Sequence, residues 1–289
     1  MEMAPRSLGL NCILVNDGRA NSATVFGTRH LDEKPLVYSG LQVELFEDGV
    51  FKTQYKFDYD TNRTYISPYK PIPGHQYTCK AHIRTQNGEE RNLSASTEMP
   101  VATPILNVST KAYAGYDTDG RLYSSIDISF PVVRGAKKYY EILLYRFTRN
   151  EAPILPKDRY QIEFLGDLKQ LAVITDPVLL QEGLPLAVFS SEHIQDSIYT
   201  MHLNFYPDMG YNSSTGEIVG NLRLFVNLRS LSYEYYLYRK SIYLYEQGRF
   251  SSGIGSHGNP SQIYSNVKNG YGIVAAFSLS QAGPIYIQY

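Results

Sequence analysis

Gly253-Ile254-Gly255-Ser256-His257-Gly258 has the G-x-G-x-x-G form of a phosphate-cradling loop. Such a loop works when a strand precedes it and a helix follows, so that the helix N-terminus faces the phosphate. Here a helical pattern precedes and a strand pattern follows, and no nucleotide site is expected. Ser256 and His257 adjoin in sequence, whereas a nucleophile and its base meet through the fold, with a third group orienting the base. Asp58-Tyr59-Asp60-Thr61-Asn62 starts like a calcium loop, but Arg63 stands where the sharp turn needs glycine, and no bidentate acid follows. Asp117 and Asp119 ahead of Gly120 read as turn formers.

The six histidines, His30, His75, His82, His193, His202 and His257, lack the spacing of metal ligands. Glu89-Glu90 and the pair Asp58/Asp60 fall in loops, where nothing in the sequence desolvates them for acid–base work. The expectation is therefore a protein that is not an enzyme, with no catalytic residue, no cofactor and no metal. A hydrolase acting on glycans or peptides would need a cleft with paired acids or a metal.

The elements that carry these residues are mainly strands. From Leu10 to Thr97 short alternating runs recur between turn residues, the rhythm of an antiparallel sandwich. Leu10, Cys12 and Leu14 share one face, as do Val43 and Leu45, then Phe51, Thr53, Tyr55 and Phe57, then Tyr77, Cys79, Ala81 and Ile83. Gln42, Glu44, Lys52, Gln54, Lys56, Lys80 and His82 take the opposite, polar faces. Glu47-Asp48-Gly49 turns a hairpin, because Asp-Gly tolerates positive φ. Tyr77 stands two residues before Cys79 after a Pro-Gly turn, the local pattern of a tyrosine corner on an immunoglobulin-like strand.

Pro100 and Pro104 end this pattern, since proline cannot donate to a central ladder. The expected organisation is an immunoglobulin- or fibronectin-III-like sandwich over 1–103. A second antiparallel β domain, sandwich or barrel-like, follows over 104–289. Strands are expected over Leu106–Tyr113, Leu122–Phe130, Tyr139–Phe147, Ile198–Tyr206 and Leu222–Leu228. Leu231, Tyr235, Tyr238, Ile242 and Tyr245 recur at helical steps, with Ser232 placed to cap and Gly248 to stop, so one Tyr-rich helix is expected at about 232–247. Lys268-Asn269-Gly270 signals a hairpin between Ile263–Asn266 and Tyr271–Leu279.

With a net charge of −1 and interspersed charges over 289 residues, the chain has no electrostatic footprint for nucleic acid or an anionic membrane surface. No apolar run approaches the roughly 20 residues that cross a bilayer. Tyrosine is the outlier, 26 residues against no Trp, and favours strands and wet aromatic surfaces.

Cys12-Ile13-Leu14-Val15-Asn16, Val43 to Gly49, Pro73-Gly74-His75-Gln76-Tyr77, Leu231-Ser232 with Tyr235, Tyr236 and Tyr238, and Tyr264-Ser265-Asn266-Val267 with Gly270 and Gly272-Ile273 stand together as a set. On these residues the chain resembles the Bacteroidetes family DUF4249, predicted outer-membrane lipoproteins of unknown function. The resemblance implies export, a lipid anchor on an N-terminal Cys and a neighbouring TonB-dependent outer-membrane receptor, hence capture or hand-over of a ligand at the cell surface or the periplasmic face. Met1 to Ser7 carries neither an apolar signal core nor a lipobox Cys, so the anchor is expected outside this sequence. An adhesive or scaffolding sandwich is the competing reading. Tyr233, Tyr235, Tyr236, Tyr238, His257, Tyr264, Asn266 and Tyr271 are the candidate partner or ligand contacts, and Cys12 and Cys79 are a candidate disulfide in an oxidising compartment.

Overall fold

Period-two alternation produces strands where one face finds a core, and it does so along most of this chain. The computed structural model describes residues 8–27, 38–58, 64–85, 88–147, 176–182, 187–207, 210–211, 214, 218–219, 221–250 and 262–289. The chain divides into two compact units, Met1–Ala102 with Ser230–Ser278, and Thr103–Arg229 with Leu279–Tyr289.

In the first unit the strands are β1 (Leu8–Val15), β2 (Asn21–Gly27), β3 (Tyr38–Glu47), β4 (Val50–Gln54), β5 (Lys56–Asp58), β6 (Thr64–Ser67), β7 (Gln76–Thr85) and β8 (Glu90–Glu98). One sheet runs β4-β3-β7-β8, and the other places β1 beside β2, β6 and β5. Leu10, Cys12 and Leu14 from the second sheet meet Val43, Leu45, Cys79, Ala81 and Ile83 from the first in one buried cluster. Full burial of each such leucine or isoleucine stabilises by about 1.5–3 kcal/mol. The tyrosine corner forms: the Ile72 N–H donates to the Tyr77 hydroxyl at 2.6 Å.

The second unit holds β9 (Asn107–Tyr116), β10 (Leu122–Pro131), β11 (Tyr139–Phe147), α1 (Pro177–Glu182), β12 (Val188–Ser190), β13 (Ile198–Phe205), β14 (Gly210–Tyr211), β15 (Ile218–Val219) and β16 (Asn221–Leu231). One sheet runs β13-β10-β9; β12, β11 and β16 lie side by side in the other. Phe130, Tyr140 and Phe189 anchor its core, with ring centroids 5.5–6.1 Å apart. The buried Asp176 caps α1 through the Val178 N–H and accepts the Tyr199 hydroxyl.

Two later elements depart from expectation. The helix α2 (Tyr233–Phe250) runs through Gly248, because glycine costs a helix interior only about 1 kcal/mol and does not end it unless the backbone turns left-handed. It belongs with the N-terminal sandwich, as do residues to Ser278, rather than with 104–229. The expected hairpin around Asn269 is replaced by one long strand, β17 (Tyr271–Gln288), whose first half pairs in parallel with β1, Cys12 opposite Val274. Ile273, Val274, Ala275, Ala276 and Phe277 are all buried, as a parallel strand covered on both faces requires. Among the described residues there is no closed barrel; the fold is mainly β with a Tyr-rich helix.

Cys12 and Cys79, the candidate disulfide pair, both lie buried in the first core, as free thiols in this structure. The Cys12 sulfur lies 3.4 Å from the Tyr55 hydroxyl, which gives it a polar contact inside the core.

Candidate functional site

The helical tyrosines divide between core and surface. Tyr235 is buried and packs its ring 5.5 Å from Phe277 of β17. Tyr236 is buried as well, and its hydroxyl accepts the Lys240 ammonium at 2.6 Å. Burial pushes the Tyr238 phenol above its ordinary value. Tyr233 is 50% exposed and Tyr271 51%, so these two of the candidate contacts present phenols to solvent. Tyr264 is half-buried, and its N–H donates to the Ser241 hydroxyl. His257 lies outside the described residues.

Of the residues that carried the resemblance, Ser232, Asn266, Gly270 and Gly272 form a structural seam. Ser232 caps α2: its oxygen accepts the Tyr235 N–H at 3.3 Å and the Ala276 N–H at 3.2 Å. Its own N–H donates to the Ala276 carbonyl at 2.9 Å, so one serine ties the helix start to β17. Asn266 works in the same way between sheets. Its amide donates to the Val274 carbonyl at 2.8 Å and the Ser96 carbonyl at 3.3 Å, and its oxygen accepts the Val274 N–H at 2.9 Å. The Lys268 N–H and the Asn269 side chain donate to the Ser94 and Asn92 carbonyls, which covers the edge of β8. Gly270 and Gly272 leave no space for a side chain: a Cβ would stand 2.4 Å from the Leu8 carbonyl oxygen and 2.2 Å from that of Leu10. Gly272 also holds φ at +113°, where side chains are strained. Asn266 thus substitutes for a backbone partner between Ser96 and Val274.

The outer face of β4-β3-β7-β8 has the opposite character. The register sets Gln42 beside His82 and His82 beside Asn92, with Gly40, Arg84 and Glu90 in the next row. These residues, with Gln54, line a groove of about 520 Å³, within the size range of small-molecule sites. His82 shares a 2.7 Å hydrogen bond with the Asn92 oxygen and stands 3.6 Å from Glu44. Arg84 pairs with Glu90 at 2.6 Å. Farther along the same face Lys80 lies 4.1 Å over the Phe46 ring, and Phe51 meets Phe46 edge to face. The alternation of β3 and β7 marked Gln42 and His82 as outward-facing; their convergence with Asn92 and Gln54 depends on strand order, which alternation does not contain.

At the end of this sheet lies a cluster that only the fold assembles. Glu47 is 3% exposed; its Oε2 accepts the Tyr69 hydroxyl and stands 3.0 Å from Lys52. The Tyr69 hydroxyl foremost, with Lys52 and His75, holds Glu47 below the usual carboxylate range. Burial, then the Glu47 partner, pushes the Tyr69 phenol well up. His75 Nδ1 faces both carboxylates, 2.6 Å from Asp48 Oδ2 and 3.2 Å from Glu47 Oε1. The Gln76 N–H donates to the other Asp48 oxygen at 3.0 Å. Sequence spacing concealed this trio, since the turn puts Glu47 and Asp48 together and the β3–β7 pairing delivers His75.

No curated protein matches the chain. Among solved structures, a DUF4785 family protein from Legionella pneumophila is 10% identical, with TM-score 0.28 over 77% of this chain and 51% of its own. An α-L-rhamnosidase from Dictyoglumus thermophilum is 13% identical, with TM-score 0.31 over 78% of this chain and 27% of its own. A bacterial ice-binding adhesin is 7% identical, with TM-score 0.24 over 97% of this chain and 65% of its own. The chain thus spans about half, a quarter and somewhat under two thirds of these proteins, and at such scores none of them bears on its chemistry. The family described as a domain of unknown function, DUF4249, matches residues 3–282, from the opening strand through the seam, and the chain belongs to that family.

Proposed function

We propose that this chain is a non-enzymatic binding component, carried on an exported outer-membrane lipoprotein, that serves a TonB-dependent receptor by holding a hydrogen-bonding ligand on the outer face of β4-β3-β7-β8. The observation that supports this reading is the groove of about 520 Å³, whose lining of Gln42, Gln54, His82 and Asn92 offers amide and imidazole groups. Such groups hold a polar, uncharged molecule by donor–acceptor pairs, while the neighbouring Arg84–Glu90 pair neutralises itself. The exposed phenols of Tyr233 and Tyr271 suit a wet protein–protein contact, where tyrosine is favoured.

The test is recovery of the full-length lipidated protein from gently solubilised outer membranes of its native host, with co-purifying proteins identified by mass spectrometry. A TonB-dependent receptor present in stoichiometric amount supports the accessory role. The protein recovered alone, under conditions that keep known receptor complexes intact, turns the assignment to adhesion or scaffolding.

A further inference from the structure

We propose that Glu47, Asp48 and His75 form a binding site for a divalent transition cation of the zinc class. His75, Glu47 and Asp48 each offer one ligand atom, and these atoms all lie within 4.8 Å of one another. One imidazole and two carboxylates are donors that zinc accepts, and three protein ligands leave a fourth position for water. That position opens to solvent, because the side chains of Asp48 and His75 are 54% and 41% exposed while Glu47 forms the buried floor.

What distinguishes this trio from an ordinary surface ion pair is the occupation of the other oxygens. Glu47 Oε2 is held by the Tyr69 hydroxyl and Lys52, and Asp48 Oδ1 by the Gln76 N–H. Each carboxylate is therefore oriented by an outer partner and turns its remaining oxygen toward the same imidazole nitrogen, the arrangement by which outer-shell hydrogen bonds position metal ligands. A proton on Nδ1 lies where the cation would sit. Zinc bonds of about 2.0–2.1 Å place tetrahedral ligand atoms roughly 3.3 Å apart. Glu47 Oε1 stands 3.2 Å from Nδ1, close to that spacing, and Asp48 Oδ2, at 2.6 Å, would draw back to admit the cation. Binding takes the Nδ1 lone pair, so the single ring proton of the neutral imidazole stands on Nε2 in the bound tautomer and the cation replaces the hydrogen bonds from Nδ1 to the carboxylates. Lys52 stays on Oε2, away from the cation, and keeps part of the carboxylate charge neutralised.

The site is tested by isothermal titration of chelator-treated full chain with ZnCl2 alone at pH 7.5, and with MgCl2 and CaCl2 in parallel. The expected result is one saturable zinc site in the micromolar range that magnesium and calcium do not fill. His75→Ala should weaken zinc at least tenfold, and Glu47→Gln should do the same. His75 is surface-accessible, so its variant keeps the fold even if the buried Glu47 variant does not; circular dichroism verifies each. His193→Ala, which removes an exposed histidine in the second unit, should bind as the parent does. Absence of saturable binding, equal affinity in His75→Ala and the parent, or equal affinity for calcium would overturn the assignment.

Discussion

The seam around Asn266 and the outer face around His82 lie on neighbouring strands of one sandwich and use polar side chains in opposite ways. In the seam, Ser232, Asn266 and Asn269 bond to backbone groups, and two glycines admit carbonyls closer than any Cβ would permit. On the outer face the polar atoms pair with one another, His82 with Asn92 and Arg84 with Glu90, and no backbone ladder depends on them. Ser232, Asn266, Gly270 and Gly272 of the later motifs therefore maintain the fold, whereas the groove proposed for a ligand draws its amides and imidazole from residues outside those motifs.

The most severe way to break the comparison is to cut the seam away. A fragment of residues 1–103 keeps β1 to β8 but loses Val267, Val274 and Ala276 from its core and the partner of β1. It should show no cooperative unfolding transition in urea, in contrast to the full chain. Next, Gly272→Ala should cost about 4 kcal/mol or more, since strain at φ +113° adds to a clash with the Leu10 carbonyl oxygen. Asn266→Ala removes three hydrogen bonds and strands the Val274 backbone groups, and should cost about 2–4 kcal/mol by denaturant unfolding.

How much of this was readable from sequence differs by element. Alternation identified the buried faces of β1, β3 and β7, and the Pro-Gly turn before Tyr77 announced the tyrosine corner. Alternation reports a face and not a neighbour, so the parallel partnership of β1 with β17 was hidden, and with it the membership of α2. Asn269-Gly270 did make a turn, with Asn269 at φ +61°, and Asn266 before it bonds back to Gly272 and Val274, but the arm after it takes β1 as its strand partner and Lys268 bonds to β8. Heptad-like spacing placed the tyrosines on a helix but could not tell Tyr235, under which Phe277 lies, from Tyr233, which has solvent. Glu47 read as a hairpin residue because burial at a turn follows from what packs over it, here Tyr69.

An intermediate case sharpens the contrast. Asp117 in the second unit accepts the backbone N–H groups of Asp119 and Arg121, as a seam residue would, and also the Tyr206 hydroxyl. Tyr206 foremost, with those N–H groups, holds its carboxyl down to about 2. A lowered folded value contributes stability present above the ordinary Asp range, near pH 4, that is lost as pH falls through about 2. Tyr206→Phe should therefore move the acid loosening of the β9–β10 turn to higher pH, followed by the Asp117 carboxyl resonance. The mildest change is Gln42→Ala with Asn92→Ala, which should shift stability by under about 1 kcal/mol while removing two of the groove's three amides. Native mass spectrometry of the parent and this double variant with a panel of neutral oligosaccharides reads the loss of ligand directly; equal retention by both would place binding elsewhere.

The parallel pairing of β1 with β17 also sets a clock. The Ile273 N–H reaches the Asn11 side chain across 262 residues of chain. A ribosome adding about 5–20 residues per second delivers the second partner roughly 13–50 s after the first. Through that interval Leu10, Cys12 and Leu14 belong to a strand with one open edge, a template for any unpaired strand nearby. The first sandwich is thus completed only once the strand from Tyr271 has been synthesised, and until then the nascent chain holds its opening strand in a form that chaperones can still handle as unfinished.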